Sequence, residues 1–130
     1  MQSGLSLSDS LQDYLEGILN LSEQNERVRI TDLANHLGIT KPSATNAVQT
    51  LVKMGLLNQD KYGPLELTES GLKIAKEVRR RHETLKEFLT DVLEVNPEIA
   101  ENEACLLEHA ISLTTLNKLI AFLESYKQSN

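Results

Sequence analysis

Residues 31–55 read TDLANHLGITKPSATNAVQTLVKMG and decide the fold of the N-terminal half of the chain. Apolar residues recur at helical spacing from Leu33 to Leu37, until Gly38, whose missing side chain permits the left-handed turn that ends a helix. Thr40 can cap a second helix, which opens with a Lys-Pro pair because proline in the first turn gives up no needed hydrogen bond. Two short helices joined through Gly-Ile-Thr predict a helix-turn-helix, whose second helix is presented outward.

Two short apolar segments follow this helix-turn-helix. Residues 56–61 and 65–68 flank a Tyr-Gly-Pro turn, and segments of this length around such a turn predict a β-hairpin. Upstream, apolar residues at three- and four-residue spacing predict a first helix over residues 8–23. The sequence therefore predicts an N-terminal winged helix-turn-helix DNA-binding domain, whose bounds we place at residues 1–71.

The second half of the chain is predicted to be entirely helical. A long amphipathic helix ends near Glu94, a shorter one covers residues 97–110, and a last one, capped by Ser112, reaches Tyr126. With the first half, this gives a mainly α fold with a small β-wing. We expect residues 72–130 to form a helical metal-binding and dimerisation domain.

The dimerisation prediction rests on the composition of the last two helices. They are richer in Leu, Ile and Ala than an exposed pair of helices should be, and Leu116 and Leu119 are among the surplus residues. Such a surplus often marks a subunit interface. We therefore expect a homodimer that forms through the C-terminal helices.

The charge of the 130-residue chain is distributed unevenly. Its net charge of −6 is unusual for a DNA-binding protein, but residues 27–66 carry five bases against three acids. Residues 1–26, by contrast, carry five acids and no base. Only the middle block suits a polyanion, while acid-rich ends suit cations.

Several classes of protein are excluded by the remaining composition. No segment approaches the roughly 20 uninterrupted apolar residues of a membrane helix, and the N-terminus lacks the basic and apolar regions of a signal peptide. We therefore expect a cytoplasmic protein without a membrane partner. A single cysteine, Cys105, cannot form an intramolecular disulfide. It is a small buried residue, a reactive thiol or a metal ligand.

Six potential metal ligands come together once the helices are drawn. Two carboxylates three residues apart share one side of the first helix, and a thiol, a carboxylate and an imidazole at positions i, i+3 and i+4 share one face of the helix over residues 97–110. A further imidazole lies on the inner stripe of the long helix. Carboxylates and a thiolate in one pocket repel each other, and a divalent cation relieves that repulsion. The six residues are Asp13, Glu16, His82, Cys105, Glu108 and His109.

Each of these residues also has a simpler interpretation. Asp13 and Glu16 are compatible with a solvated helix face. His82 is compatible with a hydrogen-bonded core histidine, and Cys105 with a small core residue. The coincidence of four suitable placements, in a chain with three histidines and one cysteine, favours the metal site. His36, on the short second helix, is interpreted as a surface residue.

Polar side chains line the outer face of the second helix of the helix-turn-helix. Lysine and serine at its N-terminal end suit phosphate oxygens, and the amides further along can bind base edges, although an ordinary polar helix face is the alternative. The tip of the wing could contact the DNA backbone. The predicted DNA-contacting residues are Lys41, Pro42, Ser43, Thr45, Asn46, Gln49, Lys61 and Tyr62.

Five short motifs occur in order along nearly the whole chain. They are Asp13-Tyr14-Leu15-Glu16, Lys41-Pro42-Ser43, Leu67-Thr68-Glu69-Ser70-Gly71, Arg81-His82-Glu83, and Glu103-Ala104-Cys105-Leu106-Leu107-Glu108-His109. Together they resemble the diphtheria toxin repressor and manganese transport regulator family, in its short form without an SH3-like domain. The resemblance implies a metal-dependent transcriptional repressor, not an enzyme, that binds a palindromic double-stranded DNA operator as a dimer and controls metal homeostasis.

The resemblance also implies a divalent transition metal, but with a mixed ligand pattern. Asp13 and Glu16 are similar to the manganese-type members, whereas Cys105 is similar to the iron-type members. Lys86 and Glu101 stand where iron-type members carry a glutamate and a histidine of an ancillary site, which puts that site in doubt. We expect Mn²⁺ or Fe²⁺, with Co²⁺, Ni²⁺ or Zn²⁺ able to substitute in vitro.

Metal control of DNA binding follows from where the predicted ligands lie. Asp13 and Glu16 belong to the predicted DNA-binding domain and the other four ligands to the helical domain. A cation bound by both domains would fix the recognition helix of each subunit, the second helix of its helix-turn-helix. In a dimer the two recognition helices would then stand at the spacing of successive major grooves.

Two other functional classes remain as alternatives at this point. A winged-helix regulator that responds to a non-metal ligand would bind its operator without metal. A metalloenzyme would need a substrate cleft or a helical His-Glu-x-x-His pair, and the sequence supplies neither. We therefore expect no small-molecule substrate.

Overall fold

The computed structural model describes residues 7–61 and 63–129. Their order of elements confirms a mainly α fold with a small β-wing. The elements are α1 (Asp9–Gln24), α2 (Ile30–Leu37), α3 (Lys41–Lys53), β1 (Leu57–Gln59), β2 (Leu65–Leu67), α4 (Glu69–Glu87), α5 (Pro97–Leu107) and α6 (Leu113–Ser129). The described residues divide into two compact units, residues 7–77 and 78–129, and the division falls inside α4.

Local capping signals set the helices of the first unit. The Ser8 side chain accepts a hydrogen bond from the Leu11 backbone N–H and starts α1. Gly38 adopts a φ of 68° and ends α2, and the Thr40 side chain accepts from the Ser43 N–H at 3.2 Å to start α3. The helix-turn-helix is therefore confirmed. The hydrophobic core of the first unit contains Leu15, Ile18, Leu19, Leu21, Val28, Leu33, Val48, Leu51, Leu56, Leu57, Leu65 and Ala75.

The wing is a short antiparallel hairpin. Leu57 pairs with Leu67 and Gln59 with Leu65, so β1 and β2 each contribute only three residues. The predicted segments were longer because residues beyond these pairs belong to the turn, where the Gly63 N–H donates to the Asp60 carbonyl at 2.7 Å. The buried leucines of both strands face the core of the unit.

The junction between the wing and α4 leaves no room for a side chain at Gly71. A Cβ added there would lie 1.9 Å from the Leu56 carbonyl oxygen. The Thr68 hydroxyl donates to the Gly55 carbonyl at 2.8 Å and accepts from the Gly71 N–H at 3.0 Å. The start of α4 therefore lies directly against the backbone of Leu56, shortly after the end of α3.

The second unit begins on α4, which ends earlier than predicted. The chain forms one π-helical turn over Phe88–Val92 before Glu94 takes up a left-handed φ of 57°. The Thr90 hydroxyl donates to the Lys86 carbonyl at 3.0 Å and so competes for an acceptor of the α-helical ladder. The helix predicted to run to about Glu94 is α-helical only as far as Glu87, and its last turn, to Val92, is π-helical.

The last two helices pack onto α4 and leave part of their apolar surface exposed. Phe88 and Phe122 meet edge to face with their ring centroids 6.1 Å apart. Leu116 is fully buried within the single chain, so its expected place at a subunit interface was wrong. Leu119 is half-buried, whereas Leu106 is 75% exposed. Among the described helices, none is both long enough and apolar enough to cross a membrane.

We expect Gly71→Ala to lower the free energy of unfolding by about 3 kcal/mol, at the upper end of typical overpacking costs, because the clashing atom belongs to the backbone. Gly17→Ala is the matched control, since its new Cβ would meet side chains no closer than 3.4 Å and alanine favours a helix over glycine by about 1 kcal/mol. Urea unfolding of the metal-free chain measures both. Equal stability of the two variants would contradict the packing described at Gly71.

Candidate functional site

The second unit is organised around the buried carboxylate of Glu108. This residue follows the last residue of α5, and its side chain is 1% exposed. Its Oε1 lies 2.8 Å from Nδ1 of His82. Its Oε2 is buried and has no hydrogen-bond partner among the described residues. Because an unpartnered buried carboxylate oxygen is costly, this position fits a bound cation.

The His82 ring lies between two carboxylates. It extends from α4 with 13% of its side chain exposed, and its Nε2 lies 2.8 Å from Oε2 of Glu101. The hydrogen bond to Glu108, reinforced by Glu101, raises the pKa of His82 to about 9, although burial acts in the opposite direction. A ring hydrogen-bonded to two acids is compatible with the hydrogen-bonded core histidine of the simpler interpretation, and its role as a metal ligand stays a prediction.

Cys105 is exposed and is therefore not a small core residue. Its Sγ lies 3.6 Å from Nδ1 of His82. Donor atoms of His82, Cys105 and Glu108 all lie within 4.8 Å of one another. Atoms bound to one metal at about 2.0–2.3 Å stand at comparable separations, so the three can bind a common ion with modest movement.

His109 lies next to this group, in the turn that follows α5. Its Nε2 is 3.8 Å from Oε2 of Glu108, the oxygen that lacks a hydrogen bond. The helix predicted over residues 97–110 ends at Leu107, where the Ala110 N–H donates to the Leu107 carbonyl at 2.9 Å and tightens the last turn. The tight turn keeps the imidazole beside the Glu108 carboxylate.

Arg81 was missed by the sequence analysis, and it supports the same turn. Its side chain is buried, and Nη1 donates to the backbone carbonyls of Glu108 at 3.3 Å and Ile111 at 2.7 Å. It therefore fixes the backbone on which Glu108 is mounted. A signal was present, because Arg81 follows Val78 by three residues and precedes Leu85 by four, on the inner stripe of α4.

Lys86 and Glu101 form an ion pair between α4 and α5. The Lys86 Nζ lies 3.0 Å from Oε1 of Glu101, whose other oxygen contacts His82. Partial burial raises the pKa of Glu101, but the hydrogen bonds from Lys86 and His82 outweigh this effect and hold it below its usual value. The two positions at which the sequence departed from the iron-type pattern are therefore paired with each other.

Asp13 and Glu16 are described within the first unit. Both lie on α1 and are half-buried, on a different side from the fully buried Leu15 and Ile18. Half-burial differs from the fully solvated face of the simpler interpretation. The assignment of these carboxylates as metal ligands stays a prediction.

The outer face of α3 is exposed, as the DNA-binding prediction requires. Ala44, Val48 and Leu51 are buried on the inner face. The Thr45 hydroxyl donates to the Lys41 carbonyl at 2.9 Å, so its proton is used within the helix. His36 is exposed on α2 as predicted, and Tyr62 lies outside the described residues. Exposed members of the predicted DNA-contacting set are Lys41, Pro42, Ser43, Asn46, Gln49 and Lys61, while Thr45 is half-buried.

Two sequence families match the chain and together cover nearly all of it. Residues 6–65 match the N-terminal DNA-binding domain of the iron-dependent repressors. Residues 68–130 match the domain described as the iron-dependent repressor metal binding and dimerisation domain.

Individual relatives and solved structures agree with these matches. An HTH-type transcriptional regulator of Methanocaldococcus jannaschii is 38% identical over 93% of this chain and 98% of its own length. The transcriptional regulator MntR of Salmonella typhimurium is 34% identical over 92% of this chain and 75% of its own length. The structure of a manganese-dependent transcriptional repressor in complex with manganese superimposes with a TM-score of 0.81 and 31% identity over 88% of this chain and 52% of that chain.

The chain spans about half the length of two solved manganese regulators that it matches, at 53% and 52% of theirs. Over that shared length the fold corresponds, with TM-scores of 0.79 and 0.81. The chain therefore belongs to the iron-dependent repressor family, the family of metal-dependent transcriptional repressors that includes the diphtheria toxin repressor and the manganese transport regulator MntR.

Proposed function

We propose that this chain is a cytoplasmic, dimeric repressor that binds a palindromic DNA operator when it is loaded with Mn²⁺ or Fe²⁺, and so controls metal homeostasis. The observation that carries the proposal is the buried Oε2 of Glu108, which has no hydrogen-bond partner among the described residues. Around this carboxylate stand an imidazole on either side and an exposed thiol. DNA binding does not require a buried carboxylate beside two imidazoles and a thiol, whereas these groups together suit a bound cation.

Six side chains would hold the ion in this proposal. Four belong to the second unit, and their donor atoms are grouped about Glu108. For the other two, the support is the sequence motif at the start of α1, together with half-burial of both carboxylates. When bound, the metal supplies the positive charge that the buried carboxylate lacks. The proposed ligands are Asp13, Glu16, His82, Cys105, Glu108 and His109.

The mixture of donors supports Mn²⁺ or Fe²⁺ over other metals. Three carboxylates are hard donors, and they favour the higher coordination numbers that these ions accept. The thiol of Cys105 is soft and favours Fe²⁺, Co²⁺, Ni²⁺ or Zn²⁺, which also bind more tightly in general. We therefore propose activation by Mn²⁺ and Fe²⁺, with the tighter-binding metals able to substitute in vitro.

The proposed readout of DNA uses the exposed face of α3. Lys41 and Ser43 lie in the first turn, where the helix dipole favours phosphate, and Asn46 and Gln49 follow along the helix. Because ligands are proposed in both the DNA-binding and the helical parts of the sequence, metal binding would favour one arrangement of the recognition helices. DNA binding measured across a metal series, with chelator controls, tests the whole proposal. Equal operator affinity with and without metal would contradict it.

The proposed dimer is supported by the exposed apolar surface of the second unit. Leu106 is 75% exposed, Ile99 52%, Leu113 47% and Phe122 46%. These side chains lie on α5 and α6, within the residues that match a family domain described as metal binding and dimerisation. A second copy of the chain is the occupant that this family match favours.

Glu108→Gln is expected to weaken Mn²⁺ binding by more than about 100-fold, because it removes both the charge and a ligand oxygen at the centre of the site, a larger loss than outer-shell changes cause. Competition with a fluorescent chelator measures the affinity. Glu103→Gln, an exposed change on α5, is the matched control for loss of one negative charge.

Cys105→Glu should shift the metal preference toward Mn²⁺. If Cys105→Ala leaves every metal affinity unchanged, the thiol is not a ligand.

In the DNA interface, Asn46→Ala and Gln49→Ala are expected to reduce discrimination between operator and random DNA by about 1–3 kcal/mol per lost base contact. Lys41→Ala should instead weaken binding to all sequences and reduce the salt dependence by about one unit, because it removes a phosphate contact. Fluorescence anisotropy on both DNAs at several salt concentrations measures these effects. Equal losses on both DNAs for all three variants would mean that another face of the domain binds DNA.

For the dimer, Leu113→Asp and Leu106→Asp are expected to give folded monomers, because both side chains are exposed in the single chain and a charge buried at an interface costs several kcal/mol. Sedimentation velocity measures the oligomeric state, and Ser125→Asp on the exposed surface of α6 is the control. Leu116→Asp should instead unfold the unit. Stable dimers for both exposed variants would refute the interface.

A further inference from the structure

We propose that Glu101 and Lys86 form an outer shell of the metal centre, in which Glu101 orients the His82 ring without itself binding the metal, and Lys86 holds Glu101 in place. This inference rests on the proposed metal site and adds to it two positioning residues and a division of roles between the acids of α5. Lys86 and Glu101, the two residues that depart from the iron-type pattern, thereby have a defined role.

The His82 ring presents its two nitrogens to two different carboxylates. Nε2 lies 2.8 Å from Oε2 of Glu101. Nδ1 lies 2.8 Å from Oε1 of Glu108 and 3.6 Å from Sγ of Cys105. A ring that donates its Nε2–H to Glu101 keeps the Nδ1 lone pair for a metal held by Cys105 and Glu108. Metal-binding histidines are commonly fixed in this way by a carboxylate on the other nitrogen.

Glu101 differs from Glu108 in its partners and in its exposure, although both contact His82 and Oε2 of Glu101 lies 4.0 Å from Sγ of Cys105. Both oxygens of Glu101 already have partners, Nζ of Lys86 at 3.0 Å and Nε2 of His82 at 2.8 Å. Its side chain is 46% exposed, whereas that of Glu108 is 1% exposed. A divalent ion bound to Glu101 would stand beside the Lys86 ammonium and be repelled by it. The pair therefore keeps Glu101 outside the coordination sphere.

The helical spacing explains how Lys86 serves this arrangement. Lys86 follows His82 by four residues on α4, and Cys105 follows Glu101 by four residues on α5, so each pair lies along one helix face. The Glu101 carboxylate bridges from α5 to both members of the α4 pair. The ion pair thereby fixes the facing surfaces of the two helices on which His82 and Cys105 are mounted.

The test measures Zn²⁺ and Co²⁺ binding to the full chain, using Glu101→Ala, Glu101→Gln and Lys86→Met. We expect Glu101→Ala to lower the affinity about 10–100-fold, the usual effect of removing an outer-shell partner. Glu101→Gln should retain most of the affinity, because its amide oxygen can still accept from Nε2–H. Lys86→Met should show a smaller loss than Glu101→Ala. Two variants are controls for charge and stability. Glu103→Gln removes one negative charge from α5, and Lys127→Met breaks the ion pair between Lys127 on α6 and Glu87 on α4.

Two spectroscopic readouts separate positioning from ligation. The thiolate-to-Co²⁺ absorption band and the ligand-field bands should keep their positions in all three variants at saturating metal, because the coordination sphere is unchanged. Nitrogen-15 shifts of the Zn²⁺-loaded protein should show Nε2 of His82 protonated in the wild type and in Glu101→Gln. In Glu101→Ala the Nε2 proton should remain, because Nδ1 is bound to the metal, but it should exchange with solvent faster, since its hydrogen bond to Glu101 is lost.

The outcomes distinguish this inference from the proposed function. Wild-type affinity and a wild-type rate of Nε2–H exchange in Glu101→Ala would overturn the positioning role and leave the metal site intact. Altered Co²⁺ bands in Glu101→Gln, together with a loss as large as that of Glu108→Gln, would make Glu101 a ligand and also overturn the inference. Failure of the wild-type chain to bind any divalent metal would overturn the proposed function itself.

Discussion

The structure of the second unit depends on one constraint, the burial of a carboxylate. Glu108 is removed from water, and a buried charge must be matched by opposite charge or hydrogen bonds. One oxygen is satisfied by His82, and Arg81 holds the backbone beneath it through two carbonyl oxygens. The other oxygen has no hydrogen-bond partner among the described residues, and this is where we propose that a cation binds. Stability of this unit and occupancy of its proposed metal site are therefore linked, because ligands that have no other partner gain most from the ion.

The first unit is specified by shape more than by charge. Its helices are set by caps and by a glycine at a left-handed turn, and its core is formed by aliphatic side chains. The contact of Gly71 with the Leu56 carbonyl joins the end of the recognition helix to the start of α4. Since α4 continues into the second unit, one helix carries both this backbone contact and His82.

The sequence predicted the parts of the structure that depend on local signals. Gly38 and Thr40 set helix ends within a few residues, so the helix-turn-helix was correctly predicted. The π-helical turn after α4 was missed because hydrophobic periodicity does not distinguish a single π-helical turn from an α-helical one. The roles of Arg81 and Glu101 depend on how α4 and α5 face each other, and residue spacing within one helix carries no information about the partner helix. The candidate ligands on α5 were recognised because they lie close together in sequence.

The contrast between an exposed Cys105 and a buried Glu108 has a kinetic consequence for the proposed site. In the proposed site, the exposed thiol would be open to a hydrated ion from solvent, whereas the carboxylate is buried. The soft ligand would then act as the point of capture, and the hard ligand as the point of retention. Selectivity in such a site is divided between the rate of entry and the rate of escape, so two metals with equal affinity can differ in how long they remain bound. A repressor built this way would respond to the recent history of metal supply as well as to its present concentration.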